Sequence, residues 1–252
     1  MRGARLAVCG VLFGASCQSS PDSKTEAPAA PSASSVQAQA SSAPVIAAKL
    51  KVMPELFIDA DGANIDGRRF DLASPSGIDD LKSTLKTLPI NNQPVTLMVD
   101  RRARTAHVAG FVNLLGDAGA PRISVRTEGR RDLPTEIQLT PEKRVSKPPA
   151  CSIIAVILKD LSTATWPVRG GTAKRQRKGF AGPDFSTTAE QLKKDLGACD
   201  STFAFFGGDD ATPWELVHNL GGSIRNADDK HRVDTLVLLQ HAPATGQTLA
   251  SP

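Results

Sequence analysis

The chain has 252 residues, of which 40% are hydrophobic, enough apolar sequence for one large core or two small ones. Lys and Arg number 30 against 26 Asp and Glu, so the formal net charge is only +4. A charge so close to balance excludes net charge as an argument for nucleic-acid binding.

The N-terminus, "MRGARLAVCGVLFGASC", has the layout of a secretory signal. Two arginines precede an apolar stretch from Leu6 to Phe13, which is too short for a convincing membrane span, and small residues then lead to Cys17. This ending resembles the lipobox of bacterial lipoproteins, in which the cysteine is lipidated and becomes the mature N-terminus. We expect residues 1–17 to be a signal peptide with Cys17 as the lipidation site. Plain secretion and a retained anchor are the alternatives.

Residues 18–48 consist mainly of Ser, Ala, Pro and Gln, with almost no large apolar residue. Such a segment cannot bury enough surface to offset the entropy lost on ordering. We therefore expect a disordered tether, which would let the folded part stand well away from a membrane.

Residues 49–128 predict a first lobe. The segment "ELFIDADGANIDGRRFDL" predicts short strands, because its apolar runs are separated by Asp-Gly turn pairs at 61–62 and 66–67. A helix follows in "SPSGIDDLKSTLKTL", then a strand at 95–99, a helix in "TAHVAGFVNLLGDAG", and a last strand around Ile123.

Residues 151–241 repeat the same order in a second lobe, with strands in "SIIAVIL", around Trp166, in "STFAFF" and in "RVDTLVLLQ". Helices are predicted after Thr187 and in "TPWELVHNLGGSI". The predicted fold class is therefore α+β, with two tandem two-layer lobes that each run hairpin, helix, strand, helix, strand. Residues 129–150 are expected to link the lobes, and residues 242–252 to form a tail.

The stretch "FAFFGGDDATPWELVHNL" could be a metal- or nucleotide-binding loop, or only a joint between strand and helix. It occupies the same place as "VTLMVDRRARTAHVAGFV" in the first lobe, so Asp209 and Asp210 are interpreted as a local variant of a shared joint. Thr212 is expected to cap the helix through its side chain. A metal site is disfavoured because no third ligand and no phosphate loop accompany the two aspartates.

The segment "PVTLMVDRRARTAHVAGFVNLLGDAGAPRISVRTE" resembles the periplasmic domain of the ExbD/TolR family. Members typically show an apolar strand, an Asp, a turn, a helix and a final strand. Asp100 matches the Asp and Val108 the apolar helix position. In the second lobe Asp209, Pro213 and Trp214 fall at the Asp, Pro and aromatic positions, and the upstream "FIDADGANIDGRRFDL" resembles the family's hairpin.

The resemblance implies a periplasmic, protein-binding role near a TonB- or Tol-type energy-transduction machine. Members that couple proton flow to transport carry one N-terminal transmembrane helix with an essential Asp, and the apolar stretch here has no acidic residue. We therefore expect an accessory or partner-docking component of a biopolymer-transport system, exported to the periplasmic face of the cell envelope. The alternative is a structural envelope lipoprotein that binds peptidoglycan or another anionic polymer.

The run "GGTAKRQRKGFAG" concentrates four cations, Lys174, Arg175, Arg177 and Lys178. It is either a solvated loop or a contact to an anionic surface, since clustered cations near such a surface are attracted to it. Nucleic acid is not expected as a partner, because the chain carries an export signal and has no Tyr.

Cys151 and Cys199 each stand just before a predicted strand of the second lobe. Because the chain is expected to be exported, we predict that they form a disulfide; two buried free thiols are the alternative.

The sequence contains no nucleophile elbow, phosphate loop or paired-cysteine metal motif. The four histidines have no ligand spacing, and His107 and His218 are expected to be partly exposed helix residues. We therefore predict neither an enzyme nor a bound cofactor or metal.

Overall fold

The computed structural model describes residues 52–128, 131 and 133–249. The signal peptide, the tether and the lipidation site Cys17 expected from the sequence lie outside these residues, as does the end of the tail.

The described residues form sixteen segments of regular structure. The first half contains β1 (Leu56–Asp59), β2 (Gly62–Ile65), β3 (Arg68–Phe70), α1 (Pro75–Leu85), β4 (Val95–Val99), α2 (Thr105–Asp117) and β5 (Ile123–Arg126). Between the halves lie β6 (Glu136–Thr140) and a 3-10 turn (Glu142–Arg144). The second half contains β7 (Ile153–Ile157), β8 (Thr163–Pro167), β9 (Lys174–Gln176), α3 (Phe185–Gly197), β10 (Phe203–Gly208), α4 (Trp214–Ala227) and β11 (Thr235–Leu238).

All eleven described strands belong to one mixed sheet, in the order β3-β2-β1-β4-β5-β6-β11-β10-β7-β8-β9. On one side of β6 the order is 3-2-1-4-5, and on the other side it is 9-8-7-10-11 when read from the outer edge. The two halves therefore use the same strand order in opposite directions. The chain is mixed α/β, with four helices and a single continuous sheet in its described part.

The strand β6 lies within residues 129–150, which the sequence analysis assigned to a linker. It pairs antiparallel with β5 and parallel with β11, and so joins the two halves into one sheet. Its residues alternate between exposed and buried, with Ile137 and Leu139 in the core. Only two apolar residues carry this alternation, which is why the surrounding prolines and charges dominated the sequence pattern.

The first three strands form an antiparallel meander joined by the two predicted Asp-Gly turns. In the second turn Asp66 and Gly67 both have positive φ, 51° and 80°. This backbone conformation is the one for which Asp-Gly is favoured in two-residue hairpins. The segment expected to be a simple hairpin therefore contributes three strands.

One face of the sheet packs against the helices in a core that includes Leu81 of α1, Phe111 of α2, Leu192 of α3 and Leu220 of α4. The opposite face differs between the two halves. In β4 the side chains alternate strictly between buried and exposed, so this face meets solvent, with Met98 37% exposed.

In the second half the opposite face is apolar and covered. Trp166 and Phe205 are buried there in a second core cluster, with Leu249 from the C-terminal segment packed against it. The Trp166 indole Nε1–H donates to the carbonyl oxygen of Gln247 (2.8 Å), and the Leu249 N–H donates to the carbonyl of Val168 (2.9 Å). The described part of the predicted tail is therefore part of the fold.

Candidate functional site

The two strand-to-helix joints, residues 100–104 and 209–213, lie against each other at the middle of the molecule. Arg104 and Pro213 form an antiparallel β-bridge. Each of them stands immediately before the first residue of its helix, α2 or α4. The sequence analysis matched these two joints by their positions in the two predicted lobes. It did not predict that the joints are in contact.

The contact between the joints is reciprocal. The Thr105 N–H donates to the carbonyl of Thr212 (3.1 Å), and the Trp214 N–H donates to the carbonyl of Ala103 (2.8 Å). Both donors are first residues of their helices, whose early N–H groups have no partner inside the helix. Each joint thus supplies a backbone cap for the other half.

This arrangement corrects one expectation. Thr212 caps no helix through its hydroxyl, and neither α2 nor α4 has a side-chain cap among the described residues. Thr212 contributes its carbonyl oxygen instead. This oxygen accepts hydrogen bonds from the Thr105 N–H and from the Thr105 hydroxyl (2.7 Å). Thr105 is buried, so this pair of bonds is shielded from water.

Asp100 and Asp209 occupy equivalent places in the two joints. The Asp100 N–H donates to the carbonyl of Ile58 (2.8 Å), and the Asp209 N–H donates to the carbonyl of Ile157 (3.0 Å). Each carboxylate then accepts the backbone N–H two residues later, at 2.7 Å and 3.2 Å respectively. Both aspartates therefore hold a turn.

Asp210, the second member of the acidic pair, points outward and is 62% exposed. Its carboxylate lies 3.7 Å from the imidazole Nδ1 of His241, itself on the surface. No group of three or more His, Cys, Asp or Glu side chains is placed to hold a metal ion within the described ranges. Of the two aspartates, Asp209 stabilises the turn between β10 and α4, and Asp210 lies at the surface.

The four cations of the basic run divide into two pairs. Lys174 Nζ lies 2.5 Å from a carboxylate oxygen of Asp195, and Arg175 forms an ion pair with Asp160. The Arg175 Nε–H also donates to the hydroxyl of Ser162 (2.8 Å). Both of these cations lie in the edge strand β9 and have their charge compensated within the fold.

Arg177 and Lys178 are exposed and form no ion pair within the part of the chain that the structure describes. They begin a short loop, residues 177–182, which we call the basic loop. It is closed by a bond from the Gly179 N–H to the carbonyl of Gly182 (2.7 Å) and by a bridge between Lys178 and Pro183.

Phe180 is at the tip of the basic loop, and its side chain is fully exposed. A single exposed apolar residue is common on protein surfaces, so Phe180 has significance here only together with the two exposed cations beside it. Sequence reasoning counted the cations of this run and passed over the aromatic residue, although its position two residues after Lys178, between Gly179 and Gly182, was a usable signal of exposure.

A cleft of about 340 Å³ lies between α1 and α2. Its lining includes Ile78, Phe111 and Asn113. The Asn113 Nδ2–H donates to the side-chain oxygen of Gln240 (3.0 Å). His107 also lines this cleft, and burial, with a further contribution from Arg104, holds its pKa below the usual value. The imidazole of His107 is therefore neutral at pH 7.

His218 is almost completely buried in α4, so the expectation that it is partly exposed is wrong. Its ring meets that of Trp214 edge-on, with centroids 5.8 Å apart, and neither ring nitrogen has a partner among the described residues. Burial lowers its pKa to about 4. The helical spacing to Trp214, four residues earlier, was the signal that placed it on the buried face.

Cys151 and Cys199 are joined by a disulfide, with their Cα atoms 5.7 Å apart. Cys151 precedes β7, and Cys199 follows α3. The bond ties the end of a helix to the start of a strand.

No helix in the described ranges combines the length and apolar character needed to span a bilayer. The chain matches no family model, and no curated protein and no solved structure matches it either.

Proposed function

We propose that this chain is a non-enzymatic binding protein of the cell envelope, acting as an accessory or partner-docking component of an ExbD/TolR-type biopolymer-transport system. The observation that carries the proposal is the pair of strand-to-helix joints that cap each other, at Arg104 and Pro213. These joints contain Asp100, Asp209 and Pro213, three of the residues on which the resemblance to that family rests.

The same observation supports a finer description of the fold, as two tandem ExbD/TolR-like lobes. Each half has a strand hairpin, a helix, a strand, a helix and a strand, and the strand order is the same on both sides of β6. Asp100 and Asp209, matched to the same family position, make equivalent turns. Duplication of one unit accounts for all three similarities.

Docking would use the free edges of the sheet. The strands β3 and β9 lie at its two ends, and an extended partner segment can add to such an edge through backbone hydrogen bonds. Both edge strands are three residues long and carry two cations each, which disfavours indiscriminate pairing between sheets.

The proposed location is the periplasmic face of the cell envelope, with a lipid anchor at Cys17. The apolar N-terminal stretch carries no acidic residue, so proton coupling is not part of the proposal. An ionisable group inside the bilayer is what coupling of that kind requires.

Photo-crosslinking in intact envelopes tests the docking role. A photoreactive residue at Arg68 on β3, or at Gln176 on β9, should capture a motor or TonB-like protein. The same photoreactive residue at Lys147, which is exposed and belongs to neither edge strand, serves as the control and should not. If neither edge captures a motor or transducer protein, the docking role is wrong.

A genetic test separates docking from proton coupling. In a strain without its own proton-coupled subunit, this chain should leave transport inactive while edge crosslinks still form. Restored transport would contradict the proposed absence of coupling.

A second candidate function is a structural envelope lipoprotein that binds peptidoglycan or another anionic polymer. Arg177 and Lys178, whose charges have no ion-pair partner within the described residues, favour it. Cosedimentation of the purified chain with cell wall, lost in a variant with Arg177→Glu and Lys178→Glu, would support this function.

A further inference from the structure

The basic loop combines two surface features that usually occur apart. Its tip is a fully exposed Phe180, and directly before the tip are Arg177 and Lys178, both exposed. All three lie within four residues of chain. A small, protruding unit therefore offers an aromatic ring and two positive charges together.

The acidic groups nearest to this loop do not neutralise it. The Asp160 carboxylate pairs with Arg175, and that of Asp195 pairs with Lys174. Asp184, just beyond the loop, accepts the N–H groups of Ser186 and Thr187 at the start of α3. Arg177 and Lys178 therefore have no ion-pair partner among the described residues.

We propose that the basic loop docks onto an anionic lipid bilayer, with Phe180 entering the headgroup layer and Arg177 and Lys178 contacting lipid phosphates. The proposal rests on the export of the chain and is independent of docking to a transport machine. A bilayer interface offers an apolar region directly beneath a layer of negative charge, which matches both parts of the loop.

The exposed aromatic residue favours lipid over a wall polymer. Carboxylates of peptidoglycan would attract the two cations but would give Phe180 no apolar phase to enter. The geometry of the loop suits shallow insertion, because the bond from the Gly179 N–H to the Gly182 carbonyl closes a tight turn that contains the fully exposed Phe180. The contact would orient a tethered protein relative to the membrane.

Vesicle cosedimentation tests the proposal on the full chain carrying Cys17→Ser, so that no lipid anchor contributes. Vesicles of phosphatidylcholine with about 30% phosphatidylglycerol should bind the protein, and pure phosphatidylcholine should not. Phe180→Ala should weaken binding about tenfold. Arg177→Glu with Lys178→Glu should weaken it at least about 25-fold, since each cation near an anionic surface contributes about fivefold. The matched control, Lys86→Glu with Lys147→Glu, reverses two exposed charges elsewhere and should bind nearly as well as the parent chain.

A fluorescence measurement reports the insertion itself. Both natural tryptophans, Trp166 and Trp214, are buried, so a Phe180→Trp variant adds an indole whose emission responds to the surface. Its emission should shift to shorter wavelength with the phosphatidylglycerol vesicles and not with neutral ones.

An unchanged emission, or equal binding of the double charge-reversed variant, would overturn the proposal. Binding to purified cell wall that depends on Arg177 and Lys178, with no emission shift on vesicles, would assign the loop to the polymer instead. The edge crosslinks to a transport protein are a separate measurement. Failure of the vesicle experiments would therefore not count against docking to a transport machine.

Discussion

Arg104 and Pro213 pair with each other across the centre of the molecule, each at the residue that precedes a helix. Because Thr105 and Trp214 then donate their N–H groups to carbonyls of the opposite joint, each half completes a helix terminus of the other. Neither half has these two backbone bonds by itself. The pairing therefore couples the stability of the two halves, and the continuous sheet through β6 reinforces that coupling.

The Thr105 hydroxyl provides a direct test of this coupling. Thr105→Val keeps the shape of the side chain but removes its buried hydrogen bond to the Thr212 carbonyl (2.7 Å). We expect a loss of about 1 kcal/mol in the free energy of unfolding, measured by urea denaturation. Thr96→Val, on the exposed face of β4, is the matched control and should change stability by less than about 0.5 kcal/mol. Equal effects of the two substitutions would show that this hydroxyl bond contributes nothing to stability.

Substitutions of the two glycines at the end of β10, Gly207 and Gly208, should have unequal effects on stability. A Cβ on Gly208 would lie 2.8 Å from a methyl group of Val217, whereas one on Gly207 would meet only Leu239, at 3.4 Å. We expect Gly208→Ala to destabilise the protein by about 1–3 kcal/mol, because the closely packed side chains of Val217 and Thr212 would have to shift. Gly207→Ala should cost clearly less, and thermal unfolding of the two variants gives the comparison.

Substitutions of the two neighbouring aspartates, Asp209 and Asp210, should also change stability by unequal amounts. Asp209→Ala removes the acceptor for the Ala211 N–H (3.2 Å) and should cost about 1 kcal/mol. Asp210→Ala, at an exposed position, should change stability by less than about 0.5 kcal/mol. A large loss at Asp210 and none at Asp209 would contradict the structural interpretation of this motif.

The disulfide closes a loop with a sequence separation of 48 residues. Cys151→Ser combined with Cys199→Ser should lower the free energy of unfolding by about 2–4 kcal/mol. Reductant should bring the parent chain close to the variant and should leave the variant unchanged. A parent chain whose urea midpoint does not move on reduction would show that the bond adds no stability.

The order of the four helices and of most strands was readable from the sequence, because amphipathic helices and compact apolar strands have distinct periodicities; β6 and the polar edge strand β9 were not predicted. The two Asp-Gly turns were equally clear, since they demand a backbone conformation that few residue pairs adopt. The joining of the halves was not readable. It depends on β6, with only Ile137 and Leu139 as buried apolar residues, and on backbone bonds between the joints, which leave no mark on residue type.

The candidate surface was predicted in part. The four cations of the basic run stood out in the sequence, but which of them are compensated depends on Asp160 and Asp195, and the latter is distant along the chain. The exposure of Phe180 also depends on the folded loop. Sequence alone therefore located the surface without resolving which of its residues are free to bind.

The pH dependence of stability should be set in part by His218. An unfolded histidine has a pKa near 6.5, whereas burial lowers that of His218 to about 4. Between these values the unfolded chain binds a proton that the folded chain does not, so stability rises with pH there and is lost as the pH falls from 6.5 towards 4. The loss should reach up to about 3 kcal/mol, because each unit of pKa difference corresponds to about 1.4 kcal/mol.

Urea unfolding at several pH values between 4 and 7 measures this effect, and His218→Leu isolates it. Leu fills much of the same space without a titratable group, so the variant should lose less stability on acidification than the parent chain. His231→Asn serves as the control, since His231 is exposed and has a positive φ that Asn tolerates; it should follow the parent curve. Carboxylates such as Glu136, whose pKa is lowered by hydrogen bonds from Ser124 and Arg126, also titrate at the acid end and affect all three proteins alike. The decisive quantity is therefore the difference between the His218→Leu and parent curves: if these run parallel from pH 7 to 4, the buried imidazole does not control acid stability.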